Sequence, residues 1–133
     1  MIEKIHRFQG YGSLRFVYQK GQTIRGPLCS LKFIINRRRS TFRVAVVVSR
    51  KVHKLAVVRN RIRRRMYEAI RAETATLTAP YDLVFMVYSD QLAELPIDQL
   101  RHAIREKLEK AGVFNHGRAP SGSHRAIVES KER

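Results

Sequence analysis

With one cysteine, Cys29, the chain has no partner for an internal disulfide, so it must be held by packing, and a reducing compartment is favoured. Cys29 sits in an apolar stretch and reads as a small core residue rather than a reactive thiol. Tryptophan is absent. No apolar run approaches the about 20 residues that a membrane helix needs. The basic segment has no aromatic wedge on its apolar side, which makes an interfacial membrane helix the weaker reading. Acidic residues are scarce: 11 against 27 Lys and Arg leave a net charge of +16. Self-repulsion on that scale opposes compaction unless a polyanion relieves it. Nucleic acid is therefore the expected partner, with an anionic membrane surface second. The polar, interrupted start Met1-Ile2-Glu3-Lys4-Ile5-His6 predicts no secretory signal, hence a cytoplasmic protein.

Catalytic groups are as thin as the acids. His6, His53, His102, His116 and His124 show no metal-ligand spacing and read as solvated surface residues. Asp82, Asp90, Glu94 and Asp98 would hold a cation only if folding collected them, so no metal site on the protein is expected. Gly10-Tyr11-Gly12 has no preceding strand and is a poor phosphate loop. Ser13, Ser40 and Ser49 have no nearby base. A protein-only nuclease would need the carboxylates or the histidine pair that are missing.

What is present is enough apolar residue, 44% of 133, for one packed domain. We place it at residues 1–114. A turn-rich stretch without apolar period follows, read as a flexible basic tail over residues 115–133. Ser13 to Gly21 predicts a short helix with Leu14, Val17 and Tyr18 on one face, and a possible extra strand lies around Gln22–Arg25. Leu28 to Asn36 reads as a strand with Leu31, Phe33 and Ile35 on one face. Arg37-Arg38-Arg39-Ser40 then reads as a basic hairpin loop. Phe42 to Ser49 is almost continuously apolar, as in a central strand covered on both faces. A helix from Leu55 to Arg71, a strand from Tyr81 to Ser89 and a final helix between Pro96 and Gly112 complete the pattern. Leu100, Ala103, Ile104, Leu108 and Ala111 form the last helix's stripe, and Glu106 and Glu109 read as pairing within it. Helices packed on a small sheet, an α+β sandwich, is the expected class.

The segment Ala56 to Arg71 is the most informative. It holds six arginines and Asn60 among apolar residues at helical spacing. On a helix, Leu55, Val58, Ile62, Met66, Ala69 and Ile70 fall in an apolar arc of roughly 120°. Arg59, Asn60, Arg63, Arg64, Tyr67 and Arg71 take the adjoining and opposite arc, with Arg61 and Arg65 on the far flank. Arginine forks match phosphate oxygens and guanine edges and keep their charge. Glu68 and Glu73 are too few to pair them all. Tyr11, Phe16 and Tyr18 beside Arg15 and Lys20 offer a stacking surface for single-stranded bases, or core. From the residues alone three readings stay open: a non-enzymatic RNA-binding protein, a DNA-binding protein with the helix in a major groove, and a nuclease.

Val48-Ser49-Arg50-Lys51-Val52, then Ala56-Val57-Val58-Arg59-Asn60-Arg61-Ile62-Arg63-Arg64 and Glu68, closely resembles the protein subunit of bacterial ribonuclease P. The likeness extends over about residues 6–114, with Leu14 to Gly21 as the early helix and Asp82 to Val87 as the third strand. It implies a two-layer α/β sandwich of αβββαβα order, a fold also found in a ribosomal protein, with a left-handed βαβ crossover. It implies an endoribonuclease whose RNA subunit, with bound Mg²⁺, removes the 5′ leader of precursor tRNA. Arg59, Asn60, Arg61, Arg63 and Arg64 would then meet the catalytic RNA. Leu14, Tyr18, Arg50 and Lys51 would border the leader, and the protein would be a monomer in a 1:1 ribonucleoprotein. Four departures stand out, the first being Leu14 where the family often has an aromatic. The Val52–Leu55 link is a residue longer than usual, Tyr67 replaces an arginine, and Tyr88 stands where a basic residue is common.

Overall fold

The computed structural model describes residues 6–8 and 11–115. The expected tail lies, from residue 116 onward, outside them. Three helices and four strands follow in the order α1 (Tyr11–Lys20), β1 (Gln22–Ile24), β2 (Cys29–Ile35), β3 (Arg43–Val47), α2 (Ala56–Glu73), β4 (Tyr81–Val87) and α3 (Ile97–Ala111). This is the αβββαβα order, and the possible strand near Gln22 is real. A 3₁₀ turn, Asp90–Ala93, leads into α3, and a second, Val113–Asn115, follows it. Gly112 ends α3 in the left-handed region at φ 76°, where a side chain would be strained.

The sheet order is β1-β2-β4-β3. β4 pairs antiparallel with β2 and parallel with β3, so β3, α2 and β4 form a βαβ unit. This corrects two expectations. Arg37–Ser40 is not a hairpin loop: it crosses the start of β4, which lies between the strands it joins. And β3 is an edge strand, β4 the central one. The outer edge of β3 is nonetheless covered. Arg7 bridges to Val44, and the Tyr67 hydroxyl accepts from the Val46 amide at 3.1 Å. Unpaired edge groups are costly when buried, so this cover explains an edge strand with a central strand's composition. His6, expected in solvent, belongs to the same cover. It stacks on Phe42 at 4.0 Å, and its Nδ1 donates to the Phe42 carbonyl at 2.9 Å.

Alternation along the strands gives the sheet two unlike faces. Leu31, Phe33, Val44, Val46, Leu83 and Phe85 are buried in the main core with Ile62, Met66, Ile70, Leu100, Ile104 and Leu108 of α2 and α3. Val17 of α1 and Val84 are fully buried outside that cluster, which puts α1 across the other face. Gly21 permits the close approach: a Cβ there would lie 2.5 Å from the Val17 carbonyl oxygen and 3.0 Å from that of Phe33. Cys29 is a core residue as expected, and burial pushes its thiol pKa up, against a lowering pull from Lys107. Lys107 itself is buried on α3.

Three chain segments meet at one buried carboxylate. Asp82, the second residue of β4, is fully buried. Arg43 at the start of β3 donates to it from Nε (3.0 Å) and Nη2 (2.8 Å), and Asn36 after β2 donates from Nδ2 (3.1 Å). The Asn36 amide also donates to the Pro80 carbonyl at 2.8 Å. Phe8 lies against the Arg43 guanidinium, 4.5 Å from ring centre to Cζ. A second carboxylate, Glu73 at the end of α2, binds Arg101 and Arg105 of α3 at 2.8 Å each and joins the helices. The hydrogen bond from Arg105 is the main cause of a lowered Glu73 pKa.

Asp82→Ala is expected to destabilise the fold by about 3–5 kcal/mol, because Arg43 keeps a buried charge without its partner. Urea unfolding measures it. The paired replacement Arg43→Met with Asp82→Leu should recover most of the loss, and a single-variant cost under about 1 kcal/mol would mean the pair does not organise this end of the sheet.

Candidate nucleic-acid interface

α2 carries the expected site, and its two sides are held differently. Ile62, Met66, Ala69 and Ile70 are buried as expected, but Leu55 is 50% exposed and Val58 only half-buried. Leu55 is the N-cap residue, one position outside the helix, and so lies beyond the packed stripe. It supplies no side-chain cap, and the first turn contains no acid. His53 Nδ1 accepts the Leu55 amide at 3.1 Å, so this second histidine is also structural. A helix start with free amides and no acidic residue attracts anions.

The arginines fall into three groups. Arg59 donates from Nη1 to the His53 and Lys54 carbonyls, both at 2.9 Å, and fixes the segment entering the helix. Arg65 donates to the Leu92 carbonyl at 2.5 Å and to the Leu95 carbonyl, tying the 3₁₀ turn to α2. Arg61 reaches Glu94 across solvent at 3.5 Å, a weak exposed pair that a phosphate can displace. Arg63 donates to Asn60 Oδ1, which sets two of the expected contacts side by side. Arg64 is exposed and has no hydrogen-bond or ion-pair partner among the described residues. The expected residues Asn60, Arg61, Arg63 and Arg64 therefore share one outer surface, and Arg59 stands at its rim. Tyr67 faces β3 rather than solvent, and burial pushes its hydroxyl pKa up.

A second feature lies at the end of the sheet where β3 and β4 both terminate. Val47 and Met86 are register partners on the face that α1 only partly covers. With Ser49, Lys51, Val52, Val87 and Tyr88 they line a recess of about 320 Å³. Lys51 and Arg50 are exposed at its mouth side of the chain, and Tyr88 is 50% exposed. Leu14 is half-buried on α1 and Tyr18 is 38% exposed there; neither lines the recess. The structure thus joins Lys51 to a pocket but leaves Leu14 and Tyr18 on α1 itself. Val47 and Met86 were missed in the sequence. Their alternation with buried Val46 and Phe85 was legible, but which face stays open depends on where α1 lies. Arg37–Arg39 sit at the opposite end of the sheet, by the start of β4.

A family model described as Ribonuclease P matches residues 2–112. A ribonuclease P protein component of Chloroflexus aurantiacus is 38% identical over 110 residues, 83% of this chain and 80% of its own length. One from Roseiflexus castenholzii is 33% identical over 112 residues, covering 84% and 90%. Among solved structures, the RNase P protein of Staphylococcus aureus superposes with a TM-score of 0.71 at 22% identity, covering 83% of this chain and 98% of that one. That of Thermotoga maritima gives 0.61 at 21%, covering 77% and 91%. These structures share the sandwich fold.

Arg65→Ala is expected to cost about 1–3 kcal/mol in thermal or urea unfolding, since two carbonyls lose a charged donor. Arg64→Ala should change stability by less than about 0.5 kcal/mol. Equal effects would contradict the division between holding and contacting arginines.

Proposed function

The chain belongs to the ribonuclease P protein family, and on that premise we propose that the outer surface of α2 docks on the catalytic RNA while the β3–β4 end receives the 5′ leader of precursor tRNA. The protein acts in tRNA 5′ processing as a subunit of an endoribonuclease, with the RNA subunit as its partner. The observation that carries the docking surface is the exposed set Asn60, Arg61 and Arg64, with Arg63 beside Asn60, in the half of α2 that follows its uncapped start. Cations aligned with a positive helix end neutralise phosphates and release counterions. Arg50 and Lys51 border the leader, and the apolar floor of Val47 and Met86 suits bases rather than phosphates. Leu14 and Tyr18 extend that path along α1.

Mg²⁺ belongs on the RNA subunit in this reading. The two carboxylates with buried side chains do not fit it: Asp82 is held by Arg43 and Asn36, and Glu73 by two arginines. Among the described residues no three metal-ligating side chains converge. The assembly is a cytoplasmic 1:1 ribonucleoprotein. Among the described residues no helix is long and apolar enough to cross a membrane.

Two binding measurements test the two contacts. Arg63→Ala should weaken binding to a bacterial ribonuclease P RNA and lower the slope of log affinity against log salt by about 1, as for one lost phosphate contact. An unchanged slope would remove this surface from the interface. Tyr18→Ala should weaken precursor tRNA binding by the holoenzyme about tenfold, within the range for one lost base stack, and leave mature tRNA binding unaltered. Equal loss for both would make Tyr18 a packing residue.

A further inference from the structure

Arg37, Arg38 and Arg39 are three consecutive cations that the surfaces described above do not use. Arg37 and Arg38 are exposed and Arg39 is half-buried, and none has an ion-pair partner among the described residues. The Arg39 Nε–H is buried there without an acceptor. A donor left in that state is costly, and like charges in sequence add repulsion. Asp82, the carboxylate at this end of the sheet, gives no relief, because Arg43 and Asn36 already bind it.

The turn that carries the arginines is built rather than loose. Asn36 donates from Nδ2 to Asp82, and its Oδ1 accepts the Arg38 amide at 3.2 Å. The Arg39 amide donates to the Asn36 carbonyl at 3.1 Å. One side chain thus ties the turn to the fully buried carboxylate that organises this end of the sheet. Cations held in a fixed turn lose less freedom when an anion binds them.

Their position selects the anion. Tyr81 packs against the main core, its ring tilted against Phe33 at 6.4 Å. Burial pushes the Tyr81 pKa up and the charge of Arg37 pulls it back, so Arg37 lies on the α2 side of the sheet rather than the α1 side. Cations also continue along the edge of β3 towards the middle of α2. Arg7 bridges to Val44, and the charges of Arg63 and Arg7 both act on the Tyr67 hydroxyl. β4 has seven residues, so the turn lies about 20 Å from the end of the sheet where α2 begins. One phosphate group cannot reach both ends, whereas a folded RNA can.

We propose that Arg37, Arg38 and Arg39 form a second phosphate-binding site, which holds a segment of the catalytic RNA separate from the one docked on the first half of α2. The proposal rests on the RNA-subunit reading above and adds a second grip, which fixes the direction of the protein on the RNA. Contacts of this kind set orientation without reading sequence.

Two measurements on the full-length protein test it. Arg37→Gln combined with Arg38→Gln removes two exposed charges and should leave the melting temperature unaltered. Binding to a bacterial ribonuclease P RNA should weaken, with the slope of log affinity against log salt lowered by about 2, as for two lost phosphate contacts. Arg37→Lys combined with Arg38→Lys should keep the slope. For location, an iron chelate is attached to the exposed position Ser40→Cys, Cys29 being buried. Hydroxyl radicals from it should cut the catalytic RNA at a segment different from that cut by a chelate on Val57→Cys, at the exposed start of α2. An unchanged slope in the glutamine variant, while Arg63→Ala lowers it, would overturn the proposal and leave the α2 surface standing. So would cuts from Ser40→Cys confined to the leader of a bound precursor tRNA, or to the segment cut from Val57→Cys. Unchanged slopes in both the glutamine variant and Arg63→Ala would defeat the RNA-docking reading itself, and the second site with it.

Discussion

The buried pair of Arg43 and Asp82 is the constraint on which the arrangement depends. Its side chains are 7% and 0% exposed, in a region where an unpaired charge is not tolerated. Asp82 can be satisfied there only if the start of β3 and the end of β2 lie on either side of it. That places β4 between two strands that are neighbours in sequence. With β4 in the centre and parallel to β3, α2 must run the length of the sheet to connect them. Its 18 residues span about 27 Å at 1.5 Å per residue. The start of α2 is thereby delivered to the end where β3 and β4 terminate, next to Arg50, Lys51 and the Val47–Met86 recess.

α2 then meets two demands with one sequence. Its inner stripe packs in the core, and Tyr67 and Arg65 bind backbone groups of β3 and of the segment before α3. Those two contacts set the rotation of the helix about its axis. The rotation decides which arginines face outward, and Asn60, Arg63 and Arg64 are the result. A polyanionic partner relieves the mutual repulsion of these cations, so folding stability and RNA binding are linked through the same charge excess.

The helices were legible because their apolar residues repeat at 3.6, whereas β1, three residues long, was legible only as a possible strand around Gln22–Arg25. The candidate RNA-binding residues were legible from the arginine run and the family likeness together. Strand order was not, because the partners of β4 are 39 residues away in β3 and 46–58 away in β2, and nothing local encodes them. Arg37–Ser40 looked like a hairpin loop for that reason. Arg65 and Tyr67 looked like surface residues because their acceptor and donor lie on distant segments. Lys107 followed the charge pattern of a solvated face but is buried beside Gly26, where a Cβ would lie 2.6 Å from its Nζ. In each case the missing information is a long-range contact rather than a local preference.

The central claim is that this protein contributes binding surfaces while the RNA subunit supplies the reaction. It is tested most directly by incubating a leader-bearing precursor tRNA with the protein at low Mg²⁺, with and without a bacterial ribonuclease P RNA. The account predicts leader removal that requires the RNA and is accelerated by the protein. Cleavage at the same position by the protein alone, with RNA rigorously removed, would contradict it.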